Sequence, residues 1–379
     1  MTAQVFRPPA RGLELAAMLS RLRGSTVHHL GASECETMAV ADLLSLADAE
    51  DQARWAGLRL AYTDPLGAPW LRASIAALYA SVAPTELVCF AGAQEGLYAV
   101  LHALLQPGDH AVVVVPGYQS VETLALGLAA VTGVALDGTD HWFLDIDAVA
   151  AAIRPSTRVV CISFPNNPTG ALLPLERFAA LVALCRRHGL WLLSDEVYRM
   201  TERDPARRLP HAADAYERGV SVGVLSKAYG LPGLRIGWVA CRDAGLIRRI
   251  ADFRQYLSVC SAGPSEVLAN IAVKASEAIT GRNREIAAVN FAALSAFLAR
   301  HPALFDWTMP EAGVVGYVRY AGADGVERFV ARMAEAGILL LPASVFRSEL
   351  AALPGDRFRI GFGRTGFTAG LAALEEAIR

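Results

Sequence analysis

The sequence lacks the residue patterns that bind metal ions or cross-link small secreted domains. Its six cysteines include no CxxC pair, and its eight histidines include no HExxH or HxH pattern. The cysteines lie mostly in apolar segments, which favours buried thiols over a disulfide framework or a zinc site. The adjacent pair of His28 and His29 is interpreted as structural or substrate-facing, so no metal site is predicted.

An excess of charge of one sign and long apolar runs are also missing. The formal net charge is -2, from 35 basic and 37 acidic side chains, which argues against a nucleic-acid surface or a polybasic membrane patch. Residues 1–11 contain no long apolar run, and Gly, Pro or charged residues interrupt the later apolar stretches before they reach spanning length. We therefore expect a cytoplasmic protein whose partners are small molecules, with no nucleic acid and no membrane among them.

Length and composition predict two domains. The 379 residues exceed the size of a typical single core, and a hydrophobic content of 54% is enough to fill two cores. We place a large domain at residues 46–274. An N-terminal arm at residues 1–45 and a small α+β domain at residues 275–379 account for the rest.

From about residue 86, short β-rich runs alternate with helical patterns, which is typical of an α/β fold with a mostly parallel central sheet and helices on both faces. The run His110–Val115 is apolar almost throughout, as expected for a strand buried on both faces. A crossover unit begins with a strand at residues 158–163, continues through a helix that Gly189 ends, and returns as a strand at residues 190–193.

The segment after a predicted strand at residues 222–225 has the chemistry to bind a phosphorylated aldehyde. Ser226 and Lys227 follow the strand directly, and Arg235 comes after a glycine-broken loop. Lysine forms Schiff bases with carbonyl groups, and pyridoxal 5'-phosphate is the phosphorylated aldehyde of amino-acid chemistry. The planar guanidinium of Arg235 suits phosphate oxygens. The competing interpretation is an ordinary Ser-Lys pair at the surface. The residues at the other strand ends help to decide between the two interpretations.

Two further strand ends carry polar side chains where an open α/β sheet binds its ligands. Asn167 lies in the proline-fixed loop at residues 164–170, with its amide available to a ring oxygen. Asp195 ends the next strand, where a carboxylate can keep a pyridine nitrogen protonated, and Tyr198 lies one helical turn further on. Turn chemistry for Asn167 and helix capping for Asp195 are the structural alternatives.

The remaining candidates lie earlier in the chain. Gly92, Ala93 and Gln94 open a predicted helix whose free N–H groups suit a phosphate. Tyr118 follows the strand His110–Val115, where its ring is placed to stack on a flat heterocycle or to fill the core.

These motifs together resemble a class I/II aminotransferase, a fold type I pyridoxal-phosphate enzyme, over most of the chain. The resemblance implies Lys227 as the Schiff-base lysine, Asp195 as the partner of the pyridine nitrogen, and Asn167 and Tyr198 as donors to the ring oxygen. It also implies Tyr118 as the stacking ring and Ser226 and Arg235 as phosphate ligands. The catalytic set is therefore predicted to be Lys227, Asp195 and Tyr198.

The same resemblance implies a homodimer with shared sites. Tyr62 matches the tyrosine that family members extend to the phosphate of the neighbouring subunit. Arg359 matches the arginine that binds the substrate α-carboxylate, with Gly31 and Asn167 beside it. Arg364 is a nearby competitor that we rank below Arg359.

The expected reaction moves an amino group between an L-amino acid and a 2-oxo acid through a Schiff base at Lys227. A second hypothesis keeps the fold and changes the reaction to that of a β-lyase, a decarboxylase, or an arginine-modifying cyclase or oxidase. Glu34 and Glu36 support it weakly, because two carboxylates there suit a cationic substrate side chain. A third hypothesis, a non-catalytic regulator, needs a basic DNA-binding segment, which the N-terminal residues lack.

Overall fold

The structure is a computed structural model that describes Met18, residues 26–139 and residues 141–379. Residues 1–17 and 19–25 of the predicted N-terminal arm lie outside the described residues. The strands of the described part are β1 His28–His29, β2 Leu87–Phe90, β3 His110–Val115, β4 Ala130–Ala135, β5 Thr157–Ser163, β6 Trp191–Asp195, β7 Gly219–Val224, β8 Gly237–Ala240, β9 Phe305–Trp307, β10 Val315–Tyr320, β11 Ile338–Leu339, β12 Leu341–Pro342 and β13 Arg357–Gly361. The α-helices are α1 Val40–Leu44, α2 Ala49–Ala56, α3 Pro69–Ala76, α4 Ala93–Leu104, α5 Gln119–Leu128, α6 Ile146–Ala152, α7 Leu175–His188, α8 Ala212–Ala215, α9 Ala244–Leu257, α10 Gly263–Lys274, α11 Ser276–Arg300, α12 Val326–Glu335 and α13 Phe367–Ala377.

A seven-stranded sheet in the order β2-β8-β7-β6-β5-β3-β4 forms the centre of the molecule. Its strands run parallel except β8, which is antiparallel to both β2 and β7. The side chains of β3 alternate between two apolar clusters, with Val112 and Val114 in one and Val113 and Val115 in the other. Helices therefore cover both faces of the sheet, as the apolar sequence of β3 predicts.

Local sequence signals account for most of the element boundaries. The strand His110–Val115 is confirmed at both ends. Helix α7 begins after Pro174 and ends at Gly189, which adopts the left-handed conformation with φ of 64° that glycine accepts without strain. The returning strand β6 runs two residues beyond the predicted end at position 193, and Asp195 is its last residue. Pairing with β7 extends this strand, since Asp195 pairs with Val222.

A second, antiparallel sheet in the order β12-β13-β10-β9 lies entirely within residues 305–361. The long helix α11 precedes it, and β1 joins this part of the chain by pairing in parallel with β11. The larger sheet lies within residues 46–274 and the smaller one within residues 275–379. The domain boundaries themselves stay a prediction.

No helix among the described residues combines the length and apolar character needed to cross a membrane. Within the same residues, no group of three or more His, Cys, Asp or Glu side chains is arranged to hold a metal ion.

Candidate active site

The carboxyl ends of the central strands bring together most of the side chains predicted for the site. Asp195 ends β6, Lys227 follows β7, and Asn167 lies in the loop after β5. Because β5, β6 and β7 are parallel neighbours, these three ends meet at one edge of the sheet. Tyr118, after β3, lines a narrow cavity together with Asp195.

The amine of Lys227 is held inside the site. Its Nζ donates a hydrogen bond to Ser33 Oγ at 2.8 Å. Burial lowers the pKa of Lys227 to about 8; Glu34 and Asp195 oppose this shift, and the Arg359 charge adds to it. A lysine with such a pKa is partly uncharged near neutral pH, which is the state that attacks a carbonyl.

In the cofactor-free protein, Lys227 is expected to titrate near pH 8, well below the ordinary lysine value of 10.5. Below that midpoint the amine is protonated and unreactive, and above it the amine is acylated readily. Competitive labelling with acetic anhydride across pH, followed by mass spectrometry of the Lys227 peptide, measures the midpoint.

The sequence supplies an internal reference, because its only other lysine is Lys274. Partial burial acts to lower the pKa of Lys274, but hydrogen bonds to Asp48 and Asp51 outweigh this effect and raise the pKa above the ordinary value. A Lys227 midpoint as high as that of Lys274 would contradict the prediction.

Asp195 forms the floor of the site. Burial raises the pKa of its carboxyl to about 6, while the Val197 N–H, which donates to Oδ1 at 3.2 Å, and the Lys227 amine oppose the rise. A poorly solvated carboxylate of this kind is stabilised by a cation placed against it.

Arg235 lies beside Ser226 and the start of α4. Arg235 Nη2 donates to Ala91 O at 3.0 Å, and Nη1 lies 3.5 Å from Ser226 Oγ. Gly92 makes the approach possible, since a Cβ at this position would lie 2.4 Å from Arg235 Nη2. Arg235, which is predicted to bind phosphate, is thereby brought to the N-terminus of α4, 144 positions away from Ala91 in the sequence.

The backbone donors at this helix start differ in part from the prediction. The N–H of Gly92 donates to Phe90 O at 2.7 Å, so Gly92 contributes space rather than a donor. Ala93 and Gln94 are the first residues of α4, whose N–H groups have no acceptor within the helix.

Arg359 reaches from β13 to the edge of the central sheet. Its Nη1 donates to Asn167 Oδ1 at 2.9 Å and its Nη2 donates to Gly31 O at 2.7 Å. The side chain is buried, and its Nε has no hydrogen-bond partner among the described residues. A buried guanidinium with an unpartnered N–H is ready to bind an anion.

Arg364, the competing arginine, is occupied elsewhere. Its guanidinium pairs with Glu34, while Glu36 accepts hydrogen bonds from both the N–H and the hydroxyl of Thr365. The cation that Glu34 meets in this structure therefore belongs to the protein. Burial works to raise the pKa of Glu34, but the charges of Arg364 and Lys227 hold it below the ordinary range.

The two donors predicted for a ring oxygen differ in availability. Asn167 uses its amide oxygen to accept from Arg359, which leaves the amide N–H₂ free to donate elsewhere. Tyr198 already donates its hydroxyl to Ser33 O at 2.6 Å.

Comparison with known proteins identifies the family of the chain. The family model for aminotransferase class I and II matches residues 25–374. The chain belongs to this family. It is a pyridoxal-phosphate-dependent aminotransferase with the fold predicted from its motifs.

Individual relatives of this aminotransferase show how far the similarity extends. The capreomycidine synthase of Streptomyces vinaceus is 31% identical over 321 residues, which cover 83% of this chain and 79% of the relative. The arginine–pyruvate transaminase of Pseudomonas aeruginosa is 38% identical over 189 residues, or 47% of each chain. A crystal structure of a pyridoxal-phosphate-dependent aminotransferase from Streptococcus suis superposes with a TM-score of 0.88 at 28% identity, covering 97% of this chain and 96% of that one.

The residues of the aminotransferase site fit pyridoxal 5'-phosphate by their chemistry. The Arg235 guanidinium lies beside the Ser226 hydroxyl and the start of α4, which suits a phosphate, and the amine of Lys227 suits an aldehyde. The buried carboxylate of Asp195, which lines a narrow cavity with Tyr118, suits a basic ring nitrogen.

Tyr62 is the predicted site residue that lies apart from the others. Its side chain is 90% exposed, so it makes almost no contact within its own chain. This exposure is what a residue that acts in a neighbouring subunit requires.

Sequence reasoning missed two side chains beside the catalytic groups of the aminotransferase. Ser33 contacts the amine of Lys227, and Glu196 is buried next to Asp195, where it pairs with His211 and accepts from Ser221 Oγ at 2.7 Å. Ser33 gave no signal apart from its position beside Glu34. Glu196 gave no signal apart from its position after Asp195.

Replacing Gly92 by alanine is expected to weaken retention of pyridoxal phosphate about tenfold or more, because the new Cβ displaces Arg235 and φ of 92° is strained for alanine. Fluorescence titration of the apoprotein measures the dissociation constant. Gly108→Ala is the matched control, since Gly108 has φ of 95° and nothing within 4 Å of its Cβ position. Equal affinities for the two variants would count against the steric argument.

Proposed function

We propose that Lys227 is the residue that binds the cofactor covalently and carries the proton in the transamination reaction. The observation that supports this proposal is the meeting of the Lys227 amine, the Asp195 carboxylate and the Arg359 guanidinium in one buried site. When bound, pyridoxal phosphate supplies the aldehyde that takes up the amino group and the ring that accepts electrons from the reacting carbon.

Each part of the cofactor has a counterpart among the residues of the site. Asp195 would hold the proton of the ring nitrogen, and Tyr118 would pack against the ring. The amide N–H₂ of Asn167 would donate to the ring oxygen, and Tyr198 is the second candidate donor. The phosphate ligands are Ser226, Arg235 and the N–H groups of Ala93 and Gln94.

The substrate is oriented through its α-carboxylate. Arg359 binds the carboxylate, while Asn167 and Gly31 hold the guanidinium in place from behind. This orientation would direct the α-hydrogen toward Lys227, whose Nζ would accept the proton and hold it for the second transfer.

A donor screen tests the proposed function. Purified protein is incubated with single L-amino acids and either 2-oxoglutarate or pyruvate, and 2-oxo acid, new amino acid, ammonia and hydrogen peroxide are each quantified. Transamination yields 2-oxo acid and new amino acid in equal amounts without ammonia. Release of ammonia or peroxide in place of the new amino acid would overturn it.

A cyclase-type reaction on arginine is the second candidate function. It is favoured by the 31% identity to a capreomycidine synthase over most of the chain. Glu34 is the carboxylate that most affects the pKa of Lys227, so it lies near the reacting amine, and a cationic side chain that enters the site competes with Arg364 for it. Mass analysis of arginine incubations distinguishes a product that keeps the α-nitrogen from a 2-oxo acid. A selective loss of arginine turnover in Glu34→Gln, with alanine turnover unchanged, supports a cationic pocket.

We also infer that the enzyme is a cytoplasmic homodimer with shared sites. Exposed apolar side chains lie on two segments that a hydrogen bond from Thr63 Oγ1 to Ser261 O joins at 2.8 Å. Tyr62 lies on the first segment, while Tyr256 in the last turn of α9 and Val259 in the loop after it lie on the second; these residues are 90%, 92% and 51% exposed.

Hybrid dimers test the sharing of sites. Lys227→Ala and Tyr62→Ala subunits are each expected to be impaired alone. After unfolding and refolding together, half of the dimers are mixed and each holds one intact site, so about a quarter of wild-type activity returns. Activity no higher than the average of the two parents would contradict a shared site.

A further inference from the structure

Ser33 makes a direct contact with the lysine of the active site. Its Oγ accepts the hydrogen bond from Lys227 Nζ at 2.8 Å, and the serine side chain is buried with 8% of its surface exposed. The two residues lie 194 positions apart in the sequence. The chemistry predicted for Lys227 gives this contact no role. It is the hydrogen bond that the Lys227 amine makes within the described part of the chain.

The backbone around Ser33 is held on both sides. Its N–H donates to Glu34 Oε2 at 3.0 Å, and its carbonyl accepts from the Tyr198 hydroxyl at 2.6 Å. The next amide, that of Cys35, donates to the carbonyl of Lys227 at 3.1 Å. The serine therefore has a fixed position relative to both the main chain and the side chain of the lysine.

Three close backbone contacts confine residues 32–36. A Cβ at Gly361 would lie 1.7 Å from Ala32 O, one at Gly363 would lie 2.7 Å from Glu34 O, and one at Gly230 would lie 2.1 Å from Glu36 O. Residues 32–36 thus run in a tight channel between the Lys227 loop and the strand that carries Arg359. The ion pair between Glu34 and Arg364 anchors the same segment.

We propose that Ser33 is a positioning residue, whose hydroxyl holds the Lys227 amine whenever that amine is not bonded to the cofactor. The inference rests on the proposed role of Lys227. An amine displaced by the substrate has four rotatable side-chain bonds, and a fixed acceptor limits it to one location beside the reacting carbon. A hydroxyl oxygen also stabilises the protonated amine more than the neutral one, since hydrogen bonds to charged donors are the stronger ones.

Loss of the Ser33 hydroxyl is expected to lower the pKa of Lys227, and this change can be measured in the apoprotein. The charged and titratable groups around the Lys227 amine are Glu34 and Cys35 on the channel segment, Asp195 on β6 and Arg359 on β13. All of them remain in Ser33→Ala, so the change isolates one acceptor. Removing an acceptor disfavours the ammonium form, and the labelling midpoint of Lys227 should fall by about 0.5–1 pH unit.

Three variants make the test specific. Ser33→Ala is compared with Ser33→Thr, which keeps the hydroxyl, and with Thr37→Ala. Thr37 follows the segment directly, and its exposed hydroxyl hydrogen-bonds Glu36 within the described part of the chain. Acetic anhydride labelling of the apoproteins, with Lys274 as the internal standard, gives the midpoint. We expect a lower midpoint in Ser33→Ala and wild-type midpoints in Ser33→Thr and Thr37→Ala.

Turnover provides a second readout. In Ser33→Ala the Lys227 amine has lost its fixed acceptor, so its proton transfer is expected to be slower. We therefore expect kcat to fall roughly tenfold and the isotope effect with an α-deuterated donor to rise, while KM is unchanged. A structural role alone would change kcat and KM in both Ser33 variants without shifting the midpoint.

The outcomes separate this inference from the proposed function. If borohydride reduction adds the mass of the cofactor to Lys227 but the midpoint in Ser33→Ala equals that of wild type, the positioning role of Ser33 is wrong and the role of Lys227 stands. Should Ser33→Ala fail to fold, Ser33→Gly and Ser33→Thr give the same comparison, and a Thr variant impaired as much as Gly also overturns the inference.

Discussion

Replacement of Lys227 by alanine is expected to abolish transamination, with a loss of more than about 10⁴-fold in kcat, because the same side chain is proposed to bind the cofactor and to move the proton. The measurement has two parts. Borohydride reduction with pyridoxal phosphate should add the mass of the cofactor to the wild-type protein and leave the variant unchanged, and the formation of 2-oxo acid should disappear with it. The phosphate site is unaltered, so the variant is still expected to bind pyridoxal phosphate non-covalently.

The sequence contains a matched control for this experiment. Lys274 is the only other lysine, and it lies at the surface in ion pairs with Asp48 and Asp51. Lys274→Ala is expected to lose a little stability, because these pairs are partly exposed, and to keep full kcat. Covalent capture of the cofactor by the Lys227→Ala variant would show that the wrong amine has been assigned.

Asp195→Asn is expected to lower kcat by on the order of 10²–10³-fold while leaving covalent capture of the cofactor intact. The change keeps the shape of the side chain and removes its charge. A neutral amide cannot keep the ring nitrogen protonated, so the ring withdraws electrons less effectively. The Asp195 carboxylate is buried, and this burial raises its pKa to about 6. Its negative charge is therefore destabilised without a cationic partner and interacts strongly with one.

Steady-state kinetics at saturating pyridoxal phosphate, together with the mass after borohydride reduction, give both quantities for Asp195→Asn. Asp214→Asn is a suitable control, because this carboxylate accepts hydrogen bonds from the Ala80 and Ser81 amides and has no contact with the site. A variant of Asp195 with wild-type kcat would remove Asp195 from the proposed mechanism. A variant that no longer captures the cofactor would give it a role in binding instead.

The mostly parallel sheet and the positions of several strands and helices along the chain were predictable because they depend on local pattern. The apolar run of β3 and the helix stop at Gly189 require only neighbouring residues. Once the strands are parallel, their carboxyl ends share one edge, so Asn167, Asp195 and Lys227 were expected to meet there. The extension of β6 to Asp195 was not predictable from its own residues, because pairing with β7 decides it.

The remaining contacts of the site could not be derived from spacing. Arg359 and Asn167 lie 192 positions apart, and Arg364 and Glu34 lie 330 positions apart. The sequence suggested that Glu34 meets a cationic substrate, whereas packing places Arg364 against it. The amide of Gly92 was assigned to a phosphate, whereas the turn before α4 directs it to Phe90 O.

The sequence by itself determined the class of cofactor and the central sheet. It also predicted Lys227 as the reactive lysine, because Schiff-base chemistry needs an amine and a strand end exposes it. Only the tertiary structure decided which neighbours tune that amine. Ser33 and Glu34 reach Lys227 through a segment confined between two glycine-lined surfaces, and such proximity depends on how separate elements pack. Burial then sets the pKa of Lys227, since a charge is destabilised by the removal of water and not by the residues beside it in the chain.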